Sequence, residues 1–220
     1  MKTFVFTVAW IATFAQLLPV YAVARLGSRA TPARRWVAAW CVAFFASDIF
    51  QIFISSQQRR ENLWFFTIAN PIEDALLLYA LSFWQTRPLH RIAFRVAIPL
   101  VILIYLGIGF AAGELATFKT FSGPFRTLVI LSAALFTLLS RAAAEPEGVW
   151  QKDWMWATLG MALFYGISVA ADPIVAAIYP RSVRLAQLVY GVKAIGDTFA
   201  YVLVWKGMRC PIQPTYSGSI

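Results

Sequence analysis

The sequence predicts an all-α membrane protein, a bundle of seven transmembrane helices in a single domain spanning 1–220. Two properties point there. Hydrophobic residues make up 60% of the 220 positions and charged residues only 13%, about half the share carried by a soluble domain, and the mean hydropathy is +0.67. The apolar residues also fall into seven stretches, each near the roughly 20 helical residues that cross a bilayer.

The stretches lie near 3–24, 36–56, 63–84, 93–112, 122–141, 155–178 and 185–206. The first could be mistaken for a signal peptide, because Lys2, an apolar run and Ala22-Val23-Ala24 imitate one. It is long enough to span, and a retained first helix is expected. The fourth is almost wholly apolar beyond Arg95 and is expected on the lipid-facing outside. The loop around 142–154, with Glu145, Pro146, Glu147 and Gly148, reads as a polar turn. Asn70-Pro71-Ile72 in the third span and Asp172-Pro173-Ile174 in the sixth are loosely alike. That suits a three-plus-one-plus-three duplication, or two independent prolines of the kind transmembrane helices tolerate.

The loop cations set the orientation. Lys2, Arg59, Arg60, Lys119, Arg181 and Arg184 fall on one side. Arg25, Arg29, Arg34, Arg35, Arg87, Arg91, Arg141, Lys152, Lys206 and Arg209 fall on the other. The richer side should be cytoplasmic, which puts the amino terminus outside and the carboxyl terminus inside. Trp36, Trp64, Trp84, Trp150 and Trp205 lie near span ends, where an aromatic belt forms. The formal charge of +9 thus reflects topology, and no nucleic-acid partner is expected. The expected location is the cytoplasmic membrane of a bacterium or archaeon.

Cysteine and histidine usage excludes several chemistries. Cys41 lies in a span and Cys210 in the tail, with no metal-type spacing. His90 is the one histidine, read as a loop residue beside Arg87 and Arg91. Sites built on several histidines are excluded, as are membrane hydrolases of the ceramidase and progestin-receptor type, which need three. No phosphate loop, Ser-His-Asp set or soluble-cofactor motif occurs. Neither a cofactor nor a metal is expected.

The informative residues are ionisable groups inside spans. Each costs about 2.5–3.5 kcal/mol at the bilayer centre on insertion scales, so each is a functional candidate. They are Asp48, Glu73, Asp74, Asp172, Lys193 and Asp197. Helical spacing groups Asp48, Gln51 and Ser55 on one stripe. It groups Tyr165, Ser168, Asp172 and Tyr179 on another, and Tyr190, Lys193, Asp197 and Tyr201 on a third. Glu73 and Asp74 stand about 100° apart and are not expected to point the same way. From the outer span ends, Asp172 is about 9 Å deep, Asp48 and Lys193 about 12 Å, Glu73 about 15 Å and Asp197 about 18 Å. The second, third, sixth and seventh spans should therefore enclose a polar pocket in the outer half of the membrane. Five carboxylates face one lysine there, and Arg126 near the outer end of the fifth span can neutralise one. The inner halves are mostly apolar, which argues against a continuous path for pumping or transport.

Pro71-Ile72-Glu73-Asp74, followed by Ala75-Leu76-Leu77-Leu78, resembles the Pro-x-Glu-Glu or Pro-x-Glu-Asp motif of the small membrane lycopene cyclases of bacteria, archaea and fungi. The resemblance implies a seven-span carotenoid cyclase with Glu73 as proton donor to a polyene end. Asp74 or Asp48 would orient it, and Asn70 would hold the site by hydrogen bonding. Gln51, Asp172, Lys193, Asp197 and Tyr190 would complete the substrate pocket, and the partner would be an isoprenoid or carotenoid. That family repeats its acidic motif in the second half, whereas this chain offers only Asp172-Pro173-Ile174-Val175.

Three other readings stand beside it. Lys193 in the seventh span resembles the retinal lysine of rhodopsins, and Leu63-Trp64-Phe65-Phe66-Thr67 slightly resembles the corresponding rhodopsin helix. Microbial rhodopsins, however, place an aspartate four residues before the lysine, while Asp197 lies four after. Lys193 and Asp197 can instead form a buried i,i+4 pair. Ser47-Asp48, Ala171-Asp172 and Gly196-Asp197 are similar to the small-residue–Asp steps of lysoplasmalogenase-type ether-lipid hydrolases, which usually have eight spans. Finally, the polar stripes can serve only to pair helices, at about 0.6–2 kcal/mol per hydrogen bond. The protein would then be a binding protein for a membrane lipid or pigment, a homo-oligomer, or a subunit of a membrane complex.

Overall fold

The computed structural model describes residues 2–58, 64–114 and 120–211, with backbone only at 2 and 54–58. Arg59, Arg60 and Lys119, counted above on the outer side, and the Ser55 side chain lie outside the described residues. The described chain is helical, with no strand among its residues. Its helices are α1 (Lys2–Ala15), α2 (Leu17–Leu26), α3 (Pro32–Gln58), α4 (Trp64–Phe83), α5 (Pro88–Ala111), α6 (Ser122–Ala144), α7 (Asp153–Ile178) and α8 (Val183–Arg209).

The expected first span is two helices broken at Gln16. Pro19 explains the break. It has no N–H to donate to the Ala15 carbonyl, and its ring clashes there. Proline also starts helices, where a missing N–H costs nothing. Pro32 opens α3 four residues before the expected boundary, and Pro88 opens α5. His90 therefore sits in the first turn of α5, its ring 5.1 Å from that of Phe136.

Among the described residues, six segments are long and apolar enough to cross a membrane: Thr3–Arg29, Pro32–Phe53, Pro88–Ala111, Ser122–Ala144, Asp153–Ile178 and Val183–Arg209. The exception among the long helices is α4. Its 20 residues include Asn70, Pro71, Glu73 and Asp74, so its polarity is the cost of what it carries.

Packing radiates from the α7–α8 pair. These helices run antiparallel, with Gly160 against the Ala200–Val204 turn and Gly207 against Asp153 and Ala157. A Cβ on Gly160 would lie 2.6 Å from the Ala200 carbonyl oxygen. Small residues at such seams let helix backbones approach where lipid supplies no hydrophobic drive. Val5 meets Gly191 near the start of α8, and Tyr21 and Arg25 share a cleft with Met208 near its end. The α1–α2 segment therefore runs parallel to α8. Helix α5 packs chiefly on α4 and α6 and exposes Leu89, Ile92, Val96, Leu100, Leu103 and Phe110. The apolar core includes Trp40, Leu77, Leu81, Trp84, Ile130, Met161 and Val204. Trp84, expected in an interfacial belt, is thus a core residue, while Trp36, Trp64 and Trp150 are exposed.

Candidate functional site

Asp48, Glu73 and Asp172, from three helices, line one cavity of about 210 Å³. Asn70, Arg126, Thr127 and Tyr190 line it too, with Phe44 and Phe66 as aromatic walls. Five helices contribute. Asn70 and Asp172, which precede Pro71 of α4 and Pro173 of α7, both line it.

Arg126 of α6 is the hinge of the arrangement. Its Nε donates to both oxygens of Asp74, at 2.7 and 2.8 Å, and its Nη2 donates to Glu73 Oε2 at 3.1 Å. The expectation that Glu73 and Asp74 point apart is therefore corrected. Their Cα atoms are separated around the helix, but both side chains bend to one guanidinium, whose fork reaches two carboxylates at once. Both acids are 2% exposed. Asp74 spends both oxygens on Arg126 and does not line the cavity, whereas Glu73 does.

Asn70 donates to the Tyr105 hydroxyl at 3.3 Å, and that hydroxyl donates to the Phe66 carbonyl at 3.3 Å. The contact fastens α5 to the turn that Pro71 loosens, because Pro71 offers no N–H to the preceding turn. On the opposite wall, Gln16 Nε2 donates to Asp48 Oδ2 at 2.7 Å, with Thr13 Oγ1 3.5 Å from the same oxygen. The helix break at Gln16 thus places a donor where α3 carries its acid. Asp172 differs from the other cavity acids in making no hydrogen bond or ion pair among the described residues.

Lys193 and Asp197 do not line the cavity. Lys193 Nζ donates to Asp197 Oδ2 at 3.1 Å, one turn away, and sits 5.0 Å above the Phe164 ring. Phe164 meets Phe44 of the cavity wall, 5.3 Å between centroids, so the pair is a neighbour of the chamber rather than part of it. Lys193 accordingly has its carboxylate partner on its own helix. Gln51 is also outside the lining, its Oε1 buried without a partner among the described residues. Tyr190 lines the cavity edge and is 44% exposed.

Of the expected site residues, then, Asp48, Asn70, Glu73, Asp172 and Tyr190 share the cavity. Asp74 stands behind it, Lys193 and Asp197 beside it, and Gln51 apart. Gln16, Thr13 and Tyr105 were missed by sequence reasoning. Gln16 and Thr13 carried a signal in their i,i+3 spacing on an apolar span; Tyr105 carried none. The chamber brings three carboxylates, Asp48, Glu73 and Asp172, together with one cation, Arg126. It can therefore face positive charge from several sides, and its aromatic walls favour the same charge.

No family model matches the chain, and no curated protein or solved structure matches it either.

Proposed function

We propose that this is a seven-span integral membrane protein, amino terminus outside, whose acidic chamber receives the reactive end of a long apolar molecule and protonates a carbon–carbon double bond there. The observation that carries the reading is the convergence of Asp48, Glu73 and Asp172 on one cavity walled by Phe44 and Phe66. The parallel course of α1–α2 and α8 supports an odd number of crossings. Size limits what enters. A dry cavity of about 150 Å³ accepts benzene, so about 210 Å³ accepts a ring-sized end and not a whole isoprenoid chain, whose remainder would lie in lipid.

In its most concrete form the reaction is cyclisation or hydration of an isoprenoid such as lycopene. Asp172, with its oxygens uncommitted, delivers a proton to the terminal double bond. A tertiary carbocation forms, facing the Glu73 carboxylate that Arg126 holds in place. The neighbouring double bond attacks the cation and closes the ring. Asp48 then removes a proton to form the new double bond, and proton return across the shared cavity resets the pair. If water attacks the cation instead, the product is the hydrate. Glu73, assigned above as donor, becomes the stabilising carboxylate because one of its oxygens is spent on Arg126.

A second reading uses the same acid. Asp48 and Asp172, two of the three small-residue–Asp steps, line the cavity. Protonation of a vinyl-ether double bond followed by water attack would cleave an ether lipid.

The test expresses the chain in lycopene-accumulating cells and, separately, incubates the purified protein with a vinyl-ether lysolipid. Cyclised or hydrated pigment, lost in Asp172→Asn and Glu73→Gln, is the expected result. Aldehyde release from the lysolipid with unchanged pigment favours the second reading. Two inert substrates with intact protein would leave neither chemistry standing. Unmodified pigment in the protein extract would then identify a binding protein.

A further inference from the structure

A second cavity, of about 380 Å³, opens between the carboxyl-terminal ends of α2 and α8. It is lined by Tyr21, Ala22, Arg25, Trp205, Met208 and Arg209. We infer that this cleft is a binding site for the headgroup of an anionic glycerophospholipid.

Charge is the first argument. Arg25 and Arg209 both line the cleft, and neither makes an ion pair with a carboxylate among the described residues. No acid lines it. Elsewhere the chain pairs its buried arginines, Arg34 with Asp153 and Arg126 with Glu73 and Asp74. Two exposed guanidiniums converging on a concave surface leave a demand for negative charge that nothing in the described chain supplies.

Geometry is the second. Each guanidinium is placed by an aromatic ring, Arg25 lying 5.7 Å from the Tyr21 centroid and Arg209 4.9 Å from that of Trp205. Arginine held beside an aromatic ring is able to bind phosphate through paired hydrogen bonds. Lys206, 3.4 Å over the Trp156 ring of α7, is a further cation in the last turn of α8, outside the cleft lining.

Position is the third. Helices Thr3–Arg29 and Val183–Arg209 are both long and apolar enough to cross a bilayer, and the cleft lies at the last turn of each. Aromatic rings and arginines at that level belong to the headgroup layer. Basic clefts between helices there suit acidic lipid heads. Below the arginines the wall is Ala22, Leu26 and Met208, apolar surface on which acyl chains can lie. A free phosphate would use the arginines and leave that wall empty, so the lipid is the occupant the whole cleft fits. This inference shares the membrane reading above and is independent of the chemistry in the acidic chamber.

Native mass spectrometry of the purified full chain tests it, with phosphatidylglycerol and phosphatidylcholine of matched acyl chains titrated in turn. One phosphatidylglycerol should be retained in preference to phosphatidylcholine. Arg25→Gln or Arg209→Gln alone should weaken that retention about fivefold, and the two together about 30-fold, on the usual worth of a basic residue at a lipid surface. Phosphatidylcholine should be unaffected. Arg181→Gln with Arg184→Gln removes the same charge at the other end of α8 and should leave the preference intact. Equal retention of the two lipids overturns the proposal, as does a preference that survives loss of both Arg25 and Arg209. Displacement of phosphatidylglycerol by millimolar inorganic phosphate, with binding of phosphate alone, overturns it in favour of a soluble anion. Unchanged melting of the double variant excludes misfolding as the cause of lost binding.

Discussion

Arg34 and Arg126 are both buried arginines that hold acids across helices, yet they build opposite kinds of site. Arg34, near the start of α3, is 1% exposed. Its Nε donates to Asp153 at 2.9 Å, and its terminal nitrogens donate to the carbonyls of Met208 at 3.3 Å and Cys210 at 2.8 Å. The second oxygen of Asp153 accepts from the Trp154 N–H at 2.8 Å. One cation and one acid satisfy each other, the spare donors cover the open end of α8, and the site is closed. The chamber begins at Asp48, some 14 residues or about 21 Å further along α3. There the acids outnumber the cations, and Asp172 has no partner among the described residues. A site that exists to lock helices together completes its pairs. One that leaves an acid facing a cavity leaves its oxygens open to whatever enters.

Breaking the closed site should cost most. Arg34→Ala leaves one Asp153 oxygen and the Met208 and Cys210 carbonyls without the donor they have. Loss of one partner of a buried pair costs about 3–5 kcal/mol, read as lowered thermal stability in detergent. Replacing both partners, Arg34→Met with Asp153→Leu, should recover most of that loss. Arg126→Ala should approach the same cost, because Glu73 and Asp74 are then both buried with no guanidinium to hold them. Here Glu73→Gln with Asp74→Asn is the rescue, and a rescued protein without activity would separate the chamber's stability from its chemistry.

The α7–α8 seam passes by both sites and should be less sensitive than either. Gly207→Ala places a methyl 2.8 Å from the Asp153 carbonyl oxygen and 2.9 Å from the Ala157 nitrogen. Overpacking of that kind costs about 1–3 kcal/mol. A cost near zero would show that the helices can part there.

Asp172→Asn provides the sharpest contrast. It should change stability by no more than about 0.5 kcal/mol while abolishing turnover, whereas Asp153→Asn should destabilise. Equal losses from the two would erase the distinction between a locking acid and an open one.

The smallest effect concerns a carboxylate outside the spans. Partial burial pushes the Glu114 carboxyl upward, but hydrogen bonds from the Ser122 N–H and hydroxyl and the Phe121 N–H outweigh it and hold the group below its ordinary value. A depressed folded value means stability present above the unfolded pKa and lost as pH falls through the folded one. Melting should therefore weaken below about pH 4.3, and Glu114→Gln should flatten that dependence. A variant with the same acid profile as wild type would assign the effect to other groups.

Helical class, apolar spans and the residues worth watching could be read from the chain because they depend on local order. Hydropathy runs fix where a helix can face lipid, and proline positions fix where one starts or breaks. An acid in an apolar run is conspicuous wherever it lies. Depth along a helix needs only a rise per residue, so the common layer of Asp48, Glu73 and Asp172 was legible as well. Direction was harder. A helical wheel separates Glu73 from Asp74, but it knows nothing of a long arginine side chain arriving from α6. The i,i+4 pairing of Lys193 with Asp197 was legible from spacing, but no wheel shows that Tyr105 closes the turn at Pro71. Which groups are costly to bury follows from residue identity alone, because that cost belongs to each side chain. Which acids Arg126 neutralises and which stay open was settled by helix packing, because such a partner is a matter of distance between helices that are far apart in the chain.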